Sequence, residues 1–428
     1  MRRIRKGIFA ICMAATLVFS GTTTGVTAVS KTVNQTKSVK ITKKTGRAMK
    51  DSEKKSIAKA SFKLFNQVLS SEGKDENVMI SPASILYAFG MAENGAKGKT
   101  KSQLEDVVNG GIKTKDLNEI LCAMKKRMEE DDKVSWNVAN SIWYKDSKDI
   151  KVKSSFLKKA KSYYSAEIFK APFSDKTAVD INSWVNKNTR KMIPKIVDKL
   201  DSSAVMYLIN AVAFEGKWAK KIEDSSVSKD QPFTNSDKSE SKVTMFRVGE
   251  SSYFELNGAY GFKKQYEGGK YSFVGIEMPE GVTPASYIKK LSKDGSAFTK
   301  ALDDMKDATV SIRFPEFKSD YDVELSSALK KLGAKNAFSP KKANLYNLFE
   351  KEVNANYYFN RVLHKTHIEV DQKGTKAAAV TAIEVNKCTS VRQEGKVIYI
   401  NLDHPFVYAI VDNETNTPLF LGCVNSLK

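Results

Sequence analysis

Histidine is the scarcest chemical resource in this chain, with 3 among 428 residues; cysteine (4) and proline (10) are also few. So few histidines leave little room for a histidine-based catalytic or metal centre. His364 and His367 stand three apart in a segment that reads as a strand, so they point to opposite faces and do not chelate one ion. The G-x-S-x-G, H-E-x-x-H and Walker A patterns are absent, which removes the familiar marks of a hydrolase, a metalloprotease and an NTPase. We expect no cofactor, no metal and no enzyme activity. Cys12 falls in an N-terminal apolar run; without it, Cys122, Cys388 and Cys423 are an odd number, which argues against a disulfide framework. Cys122, in an amphipathic helical pattern, and Cys423, in an apolar strand, read as buried free thiols. Nowhere is an apolar run long enough for a membrane span, which takes roughly 20 residues.

What the chain has in abundance is positive charge: Lys+Arg number 70 against 49 Asp+Glu, a net charge of +21. Such a surface attracts polyanions, including cell-wall glycans. The basic residues are widely spread, and no RNA-binding aromatic signature or zinc-finger spacing accompanies them, so no specific nucleic acid is expected. Solvated surface is the better reading of this charge, and Lys125-Lys126-Arg127 and the N-terminal arm are where any glycan contact would fall. The N-terminus reads as an export signal. Arg2, Arg3, Arg5 and Lys6 precede the apolar run Ile8 to Phe19, and Val26-Thr27-Ala28 suits cleavage. The reading is therefore a secreted protein with a signal peptide over 1–28. Residues 29–54, rich in Lys, Thr and Ser, read as a flexible arm with too little apolar surface to bury.

Residues 55–428 show no linker or repeat that would divide them. Ile57, Leu64, Phe65, Val68 and Leu69 give helical spacing. Ser81-Pro82 starts a second helix, and Thr100 with Gln103 reads as a capping box. An amphipathic helix is expected from Val179 to Ile193, ended by Pro194. Val134 to Tyr144, Met206 to Phe214, Val310 to Phe314, Val362 to Val370 and two segments in the last thirty residues read as strands. Helices come early and strands late, which argues for an α+β fold around large, mostly antiparallel sheets.

The most informative stretch is EVDQKGTKAAAVTAIEVNKCTSVR, from Glu369 to Arg392. After Gly374, the residues Thr375, Ala377, Ala379, Thr381, Ile383 and Val385 would share one face of an extended chain. Lys376, Ala378, Val380, Ala382, Glu384 and Asn386 would share the other. The first face suits a slot between strands, small near Gly374 and β-branched beyond. The alanines are equally compatible with a helical turn.

IEVDQKGTKAAAVTA followed by DHPFVYAIVDNETNTPLFLGCV resembles the hinge, reactive loop and C-terminal strands of the serpins. NVMISPASILYAFGMAENGAKGKTKSQL, INSWVNKNTRKMI and YLINAVAFEGKW fall in the same family order. The resemblance runs from about Asp51 to the end, and implies a single serpin-like domain with about eight or nine helices and an exposed reactive loop over about 372–397. It implies a monomer that traps a serine or cysteine protease as an acyl-enzyme when the cleaved loop inserts into the main sheet.

By that resemblance the hinge is Gly374, Thr375, Ala377, Ala378, Ala379 and Thr381. Ser81, Ser84, Asn210 and His364, all polar within apolar segments, match the family's shutter, and Trp218 matches its breach. Counting forward from Gly374 puts the scissile bond at Cys388–Thr389. Lys387–Cys388 would suit a trypsin-like enzyme, and counting back from His404 points near Arg392. The chain departs from the pattern at Gln372 and Lys376, where acids are usual, at Asn94, usually apolar, and at Lys191, usually Gly. A non-inhibitory serpin that binds a ligand, or a secreted glycan-binding protein, remains an alternative.

Overall fold

In a computed structural model, the chain is described at residues 9–20, 31–73, 75–201, 203–350, 356–375 and 397–428. The strands are β1 (Phe9–Ser20), β2 (Val33–Asn34), β3 (Val78–Ile80), β4 (Ser135–Lys145), β5 (Glu167–Ala171), β6 (Ala204–Lys217), β7 (Val227–Thr234), β8 (Glu240–Leu256) and β9 (Ala259–Gln265). They continue with β10 (Tyr271–Glu277), β11 (Lys306–Pro315), β12 (Phe317–Glu324), β13 (Asn356–Asp371), β14 (Gly374–Thr375), β15 (Val397–Asn401), β16 (Phe406–Asp412) and β17 (Pro418–Val424). The helices are α1 (Asp51–Leu69), α2 (Pro82–Gly95), α3 (Gly98–Val108), α4 (Thr114–Glu129), α5 (Ser154–Tyr164), α6 (Asp175–Asn188), α7 (Pro284–Leu291), α8 (Ser296–Asp303) and α9 (Ser326–Leu332). This is the expected α+β architecture.

The main sheet runs β12, β13, then β1 and β14 end to end, then β6, β4, β5 and β2. The second sheet runs β15-β11-β8-β9-β10-β16-β17-β3, with β7 also on β8. Most pairings are antiparallel; β4–β5 and β11–β15 are parallel. One large core fills the space between the sheets and the helices around α2, and a smaller one lies under α6 on the main sheet's other face. β6 is covered on both faces, which explains its nearly unbroken apolar run.

Three elements differ from the sequence reading. Thr100 lies inside the first turn of α3, whose N-cap is Lys97. Its hydroxyl serves the chain after α9 instead, accepting from Asn344 N–H at 2.9 Å. The helix α6 ends at Asn188, well before Pro194, because Arg190 and Lys191 turn into the left-handed region (φ 51° and 67°). At Lys191 the family's usual glycine has a physical reason, since that region disfavours a side chain.

The arm, expected to be flexible, lies against the body from residue 31 on. β2 pairs with β5 and covers that edge of the main sheet. Lys161 Nζ donates to Thr36 O (2.6 Å) and Val39 O (2.7 Å), and the Arg47 guanidinium donates to both Glu53 and Asp116. The arm is held by backbone and charge, which composition does not reveal.

Helix α2 is buried along its whole length and carries an ionisable group into the core. Glu93 Oε2 lies 2.8 Å from Asn109 Nδ2 and 3.0 Å from Thr114 Oγ1, while Thr114 also donates to Glu105 at 2.7 Å. One hydroxyl has one proton, so the ionised Glu105 takes it and a protonated Glu93 donates to the Thr114 oxygen. Burial, reinforced by Glu105, pushes the Glu93 carboxyl up to about 8. A raised carboxyl stabilises the fold fully below its unfolded value, and that contribution drains as pH rises towards about 8. Glu93→Gln should therefore match the wild type near pH 4.5 and become progressively more stable than it up to about pH 8, read by chemical denaturation across that range.

Candidate functional site

The site is the gap between β6 and β13. These two strands run parallel to each other, yet each is paired antiparallel to whatever lies between them. At one end the occupant is β14: Gly374 and Thr375 oppose Lys217 and Gly216 on β6, and Asp371 and Val370 on β13. Farther along it is β1, from Phe9, which opposes Phe214, to Val18, which opposes Ala204. The register is continuous. Thr375 faces Gly216, so residue 377 of a prolonged β14 would fall opposite Phe214, where Phe9 lies. The apolar centre of the expected leader thus fills the very positions that the chain after Thr375 would fill, in the same direction.

The entry to the gap is built around Trp218. Its ring lies 4.8 Å from the Tyr266 ring at 11°, and its Nε1–H donates to Asp371 O at 3.1 Å. Its backbone N–H donates to Lys373 O at 3.1 Å, clamping the turn before Gly374. Gly374 has φ +152°, and a Cβ there would stand 2.1 Å from Gly216 O. Only glycine passes this point. Thr375 is fully buried, and its hydroxyl meets Tyr266 Oη at 2.5 Å. The Gln372 amide donates to Ile222 O (2.9 Å) and Asp224 Oδ1 (2.8 Å), so an uncharged residue makes the turn's outward contact.

Beneath the middle of the sheet, the four polar residues singled out in the sequence form one chain of hydrogen bonds. Ser81 N–H donates to His364 Nε2 at 3.1 Å, and Ser84 N–H donates to Ser81 Oγ at 3.1 Å. Ser84 Oγ donates to Asn210 Oδ1 at 2.5 Å, while Ser81 Oγ donates to Leu419 O at 2.8 Å. All four are buried completely. Ser81 is also the N-cap of α2, so helix start and cluster share one side chain.

Sequence reasoning missed several members. Asn140 on β4 accepts from Asn210 Nδ2 at 2.9 Å and donates to Tyr164 O at 2.8 Å. Its position inside a strand of alternating pattern was the available signal. Tyr266 and Lys264 were unmarked; Lys264 is buried with Nζ 5.4 Å from the Trp218 ring centre, and burial pushes its ammonium down to about 8 against the pull of Glu250. Asn94, odd in the sequence, pairs reciprocally with Asn118 (2.8 and 3.0 Å).

Ala377, Ala378, Ala379, Thr381, Lys387, Cys388, Thr389 and Arg392 lie outside the described residues. Cys122 and Cys423 are buried free thiols. His364 and His367 serve different partners, Ser81 and Asp320. Among the described residues there is no group of three His, Cys, Asp or Glu placed to hold a metal, and no helix long and apolar enough to cross a membrane.

His364 links this cluster to pH. Because Nε2 accepts from Ser81, the ring proton sits on Nδ1, which has no partner among the described residues. Burial lowers its pKa to about 3. A depressed histidine stabilises the fold fully above its unfolded value near 6.5, and that contribution is lost as pH falls towards about 3. His364→Phe should remove this acid-side slope from stability measured by denaturation between pH 7 and 4. At pH 7 the variant should be less stable by about 1–3 kcal/mol, because Ser81 N–H loses its acceptor.

The sequence model of the family described as Serpin (serine protease inhibitor) matches residues 55–427. Human neuroserpin is 29% identical over 386 residues, covering 86% of this chain and 90% of its own. Leukocyte elastase inhibitor of Xenopus tropicalis is 28% identical, covering 86% and 97%. Among solved structures, the thermophilic serpin tengpin in its native state superposes with a TM-score of 0.83 at 36% identity, covering 93% of this chain and 100% of its own. Its latent state gives 0.76 at 36% identity, covering 90% and 100%.

Proposed function

Because the chain belongs to the serpin family, we propose that it is a secreted inhibitor that captures a serine or cysteine protease by inserting its cleaved loop between β6 and β13. The observation that supports this most is the hinge geometry: Gly374 and Thr375 already lie between the two strands, in register with the gap beyond. The residues that would follow on the inward face, Ala377, Ala379 and Thr381, are small, which suits rapid entry.

The chemistry belongs to the protease. Its nucleophile attacks the scissile carbonyl, the peptide bond breaks, the new amine departs, and the acyl group stays on the enzyme. The candidate bonds are Lys387–Cys388, Cys388–Thr389 and the bond after Arg392. Before water completes hydrolysis, the freed strand enters the gap and carries the enzyme along. About 11 inserted residues at roughly 0.5–1.5 kcal/mol per hydrogen bond offer on the order of 5–15 kcal/mol before apolar burial is added. A loop of about 20 residues spans roughly 65 Å at strand rise, enough to distort an attached enzyme.

Ser81, Ser84, Asn210 and His364 act in this reading as the latch. Asn210 and His364 both oppose Met13 of β1, so they become neighbours when no strand lies between them. The unpartnered Nδ1–H of His364 then gains the Asn210 side of the gap, and opening the sheet costs that contact. Export supplies the vacancy. Removal of residues 1–28 after Ala28 takes β1 out, so the mature chain offers the gap to its loop. A non-inhibitory carrier would share the fold, and the small inward hinge residues disfavour it.

Secreted protein should begin at Val29 and form an SDS-stable covalent complex with at least one member of a serine and cysteine protease panel. Thr375→Arg should instead be cleaved and release the enzyme, because the side chain would carry a charge into the site now holding Tyr266 Oη, at a cost of several kcal/mol. No complex with any protease, or trapping by Thr375→Arg at wild-type stoichiometry, would overturn the reading.

A single cut between Asn386 and Gln393, verified by mass spectrometry, should raise the melting temperature of the mature protein. Even 1 kcal/mol moves a large domain by roughly 2–4 °C. A cut protein that melts at or below the intact one would leave the carrier reading in its place.

A further inference from the structure

The basic triplet on α4 is spent inside the molecule. Lys125 is buried against Glu129, Lys126 lies 3.8 Å from Glu130, and Arg127 is held by Asp412 and Glu414. The unspent charge is elsewhere, where three segments meet beside the start of β13. Lys97 N–H donates to Asn344 O at 2.9 Å, Lys153 N–H donates to Leu348 O at 2.7 Å, and Val152 bridges Phe349. These contacts bring Lys97 and Lys99, Lys151 and Lys153, and Lys341 and Lys342 to one surface.

Tyr346 stands among them, 47% exposed. Lys153 Nζ lies 3.6 Å from its ring centre and donates to its backbone carbonyl at 2.7 Å; Lys97 Nζ lies 5.1 Å from the same ring. Two ammonium groups converge on one aromatic ring. None of the six lysines forms an ion pair among the described residues, although α3, α4 and the arm pair their cations repeatedly. Among the described residues, Asp149 and Glu350 border the surface with exposed carboxylates.

Unpaired like charges held together repel one another, and a polyanion relieves that repulsion while releasing its own counter-ions. The surface supplies ammonium groups on flexible stems rather than guanidinium forks, so it accepts variable spacing and does not select a bidentate oxyanion. The six lysines come from three separate segments, an arrangement that matches a chain with repeated charges better than a single small anion. We propose that the lysine surface around Tyr346 binds a linear polymer carrying closely spaced phosphate or sulfate groups.

Its place in the fold sets its role. The surface lies at the start of β13, and the hinge lies at that strand's other end, about 50 Å away at strand rise. A polymer held here leaves Trp218 and the hinge uncovered, so it tethers the protein without bridging it to a protease. This inference does not depend on the inhibitory reading, because binding needs no protease.

The test uses mature protein on immobilised inorganic polyphosphate and, separately, on dextran sulfate. A variant with Lys97, Lys99, Lys341 and Lys342 changed to Ser is compared with one in which Lys59, Lys63, Lys289 and Lys290 are changed to Ser. The two have equal net charge, and the second group is likewise exposed. The wild type should bind with log Kd rising about 4–5 units per tenfold increase in salt, if all six lysines make contacts. The Tyr346-side variant should bind at least about tenfold more weakly at 0.15 M salt with a shallower slope, while the other variant stays near wild type. Loss on polyphosphate alone marks a phosphate polymer, loss on dextran sulfate alone a sulfated one, and loss on both a general polyanion surface. Equal weakening in the two variants, or no salt-sensitive binding to either polymer, overturns the proposal; matching thermal melts show that both variants are folded.

Discussion

Everything in this fold turns on the backbone groups of β6 and β13 that face each other across one strand's width. Both strands lie inside the sheet and both run the same way, so each presents N–H and C=O groups that need a partner between them. A buried backbone group without a partner costs about as much as a lost hydrogen bond. The gap must therefore be filled by another strand or closed by moving β6 against β13. In the full chain it is filled: β14 begins the strand and β1 continues it in the same register. The gap takes one strand at a time, so under the proposed mechanism the N-terminal strand has to leave before the loop can enter.

The residues around the gap divide the work of controlling it. Trp218 and Gly374 hold the hinge at the entry, with its first buried side chain already bonded to Tyr266. Farther down, the Ser81–Ser84–Asn210–His364 chain ties α2 to the strands on both sides of the gap. The network stays connected with β1 lying between Asn210 and His364, so a strand can occupy the middle of the gap without breaking it.

Much of this was legible in the sequence where apolar context made a residue stand out. Asn210 interrupts an unbroken apolar strand, and His364 sits among alternating apolar neighbours, so their burial and bonding could be anticipated. Ser81-Pro82 carries a helix start in two residues, and α2 begins there. Other features gave no such contrast. The arm docks through carbonyls, Lys161 and Arg47, and polar residues at such contacts look like any solvated segment. Thr100 and Gln103 have capping-box spacing, yet each bonds the chain after α9, because a tertiary acceptor or donor outcompeted the local one. The end of α6 depends on two left-handed residues that helix periodicity does not register. Tyr266 and Gly216 belong to the site only through pairing between distant strands, which no local pattern encodes.

The buried lysine at the entry is the least expected of these features, and it bears on how the hinge is held. Lys264 lies in a strand whose neighbours Phe262 and Tyr266 are fully buried, and its own exposure is 1%. Its amine donates to Lys220 O at 3.1 Å and lies 3.9 Å from Glu250 Oε1, which is beyond hydrogen-bond reach. Burial lowers the lysine to about 8 and raises Glu250, so each partner resists the charge that would attract the other. What the ammonium does gain is the face of Trp218, the ring that clamps the turn before Gly374. A cation against that face is favoured most when desolvated, by about 2 kcal/mol. The charge is therefore better satisfied while Trp218 keeps its present orientation than if the ring were to swing away. An apolar side chain would fill the same space without favouring any ring position. The lysine thus adds little to the stability of the core but favours the ring orientation that clamps the turn before Gly374.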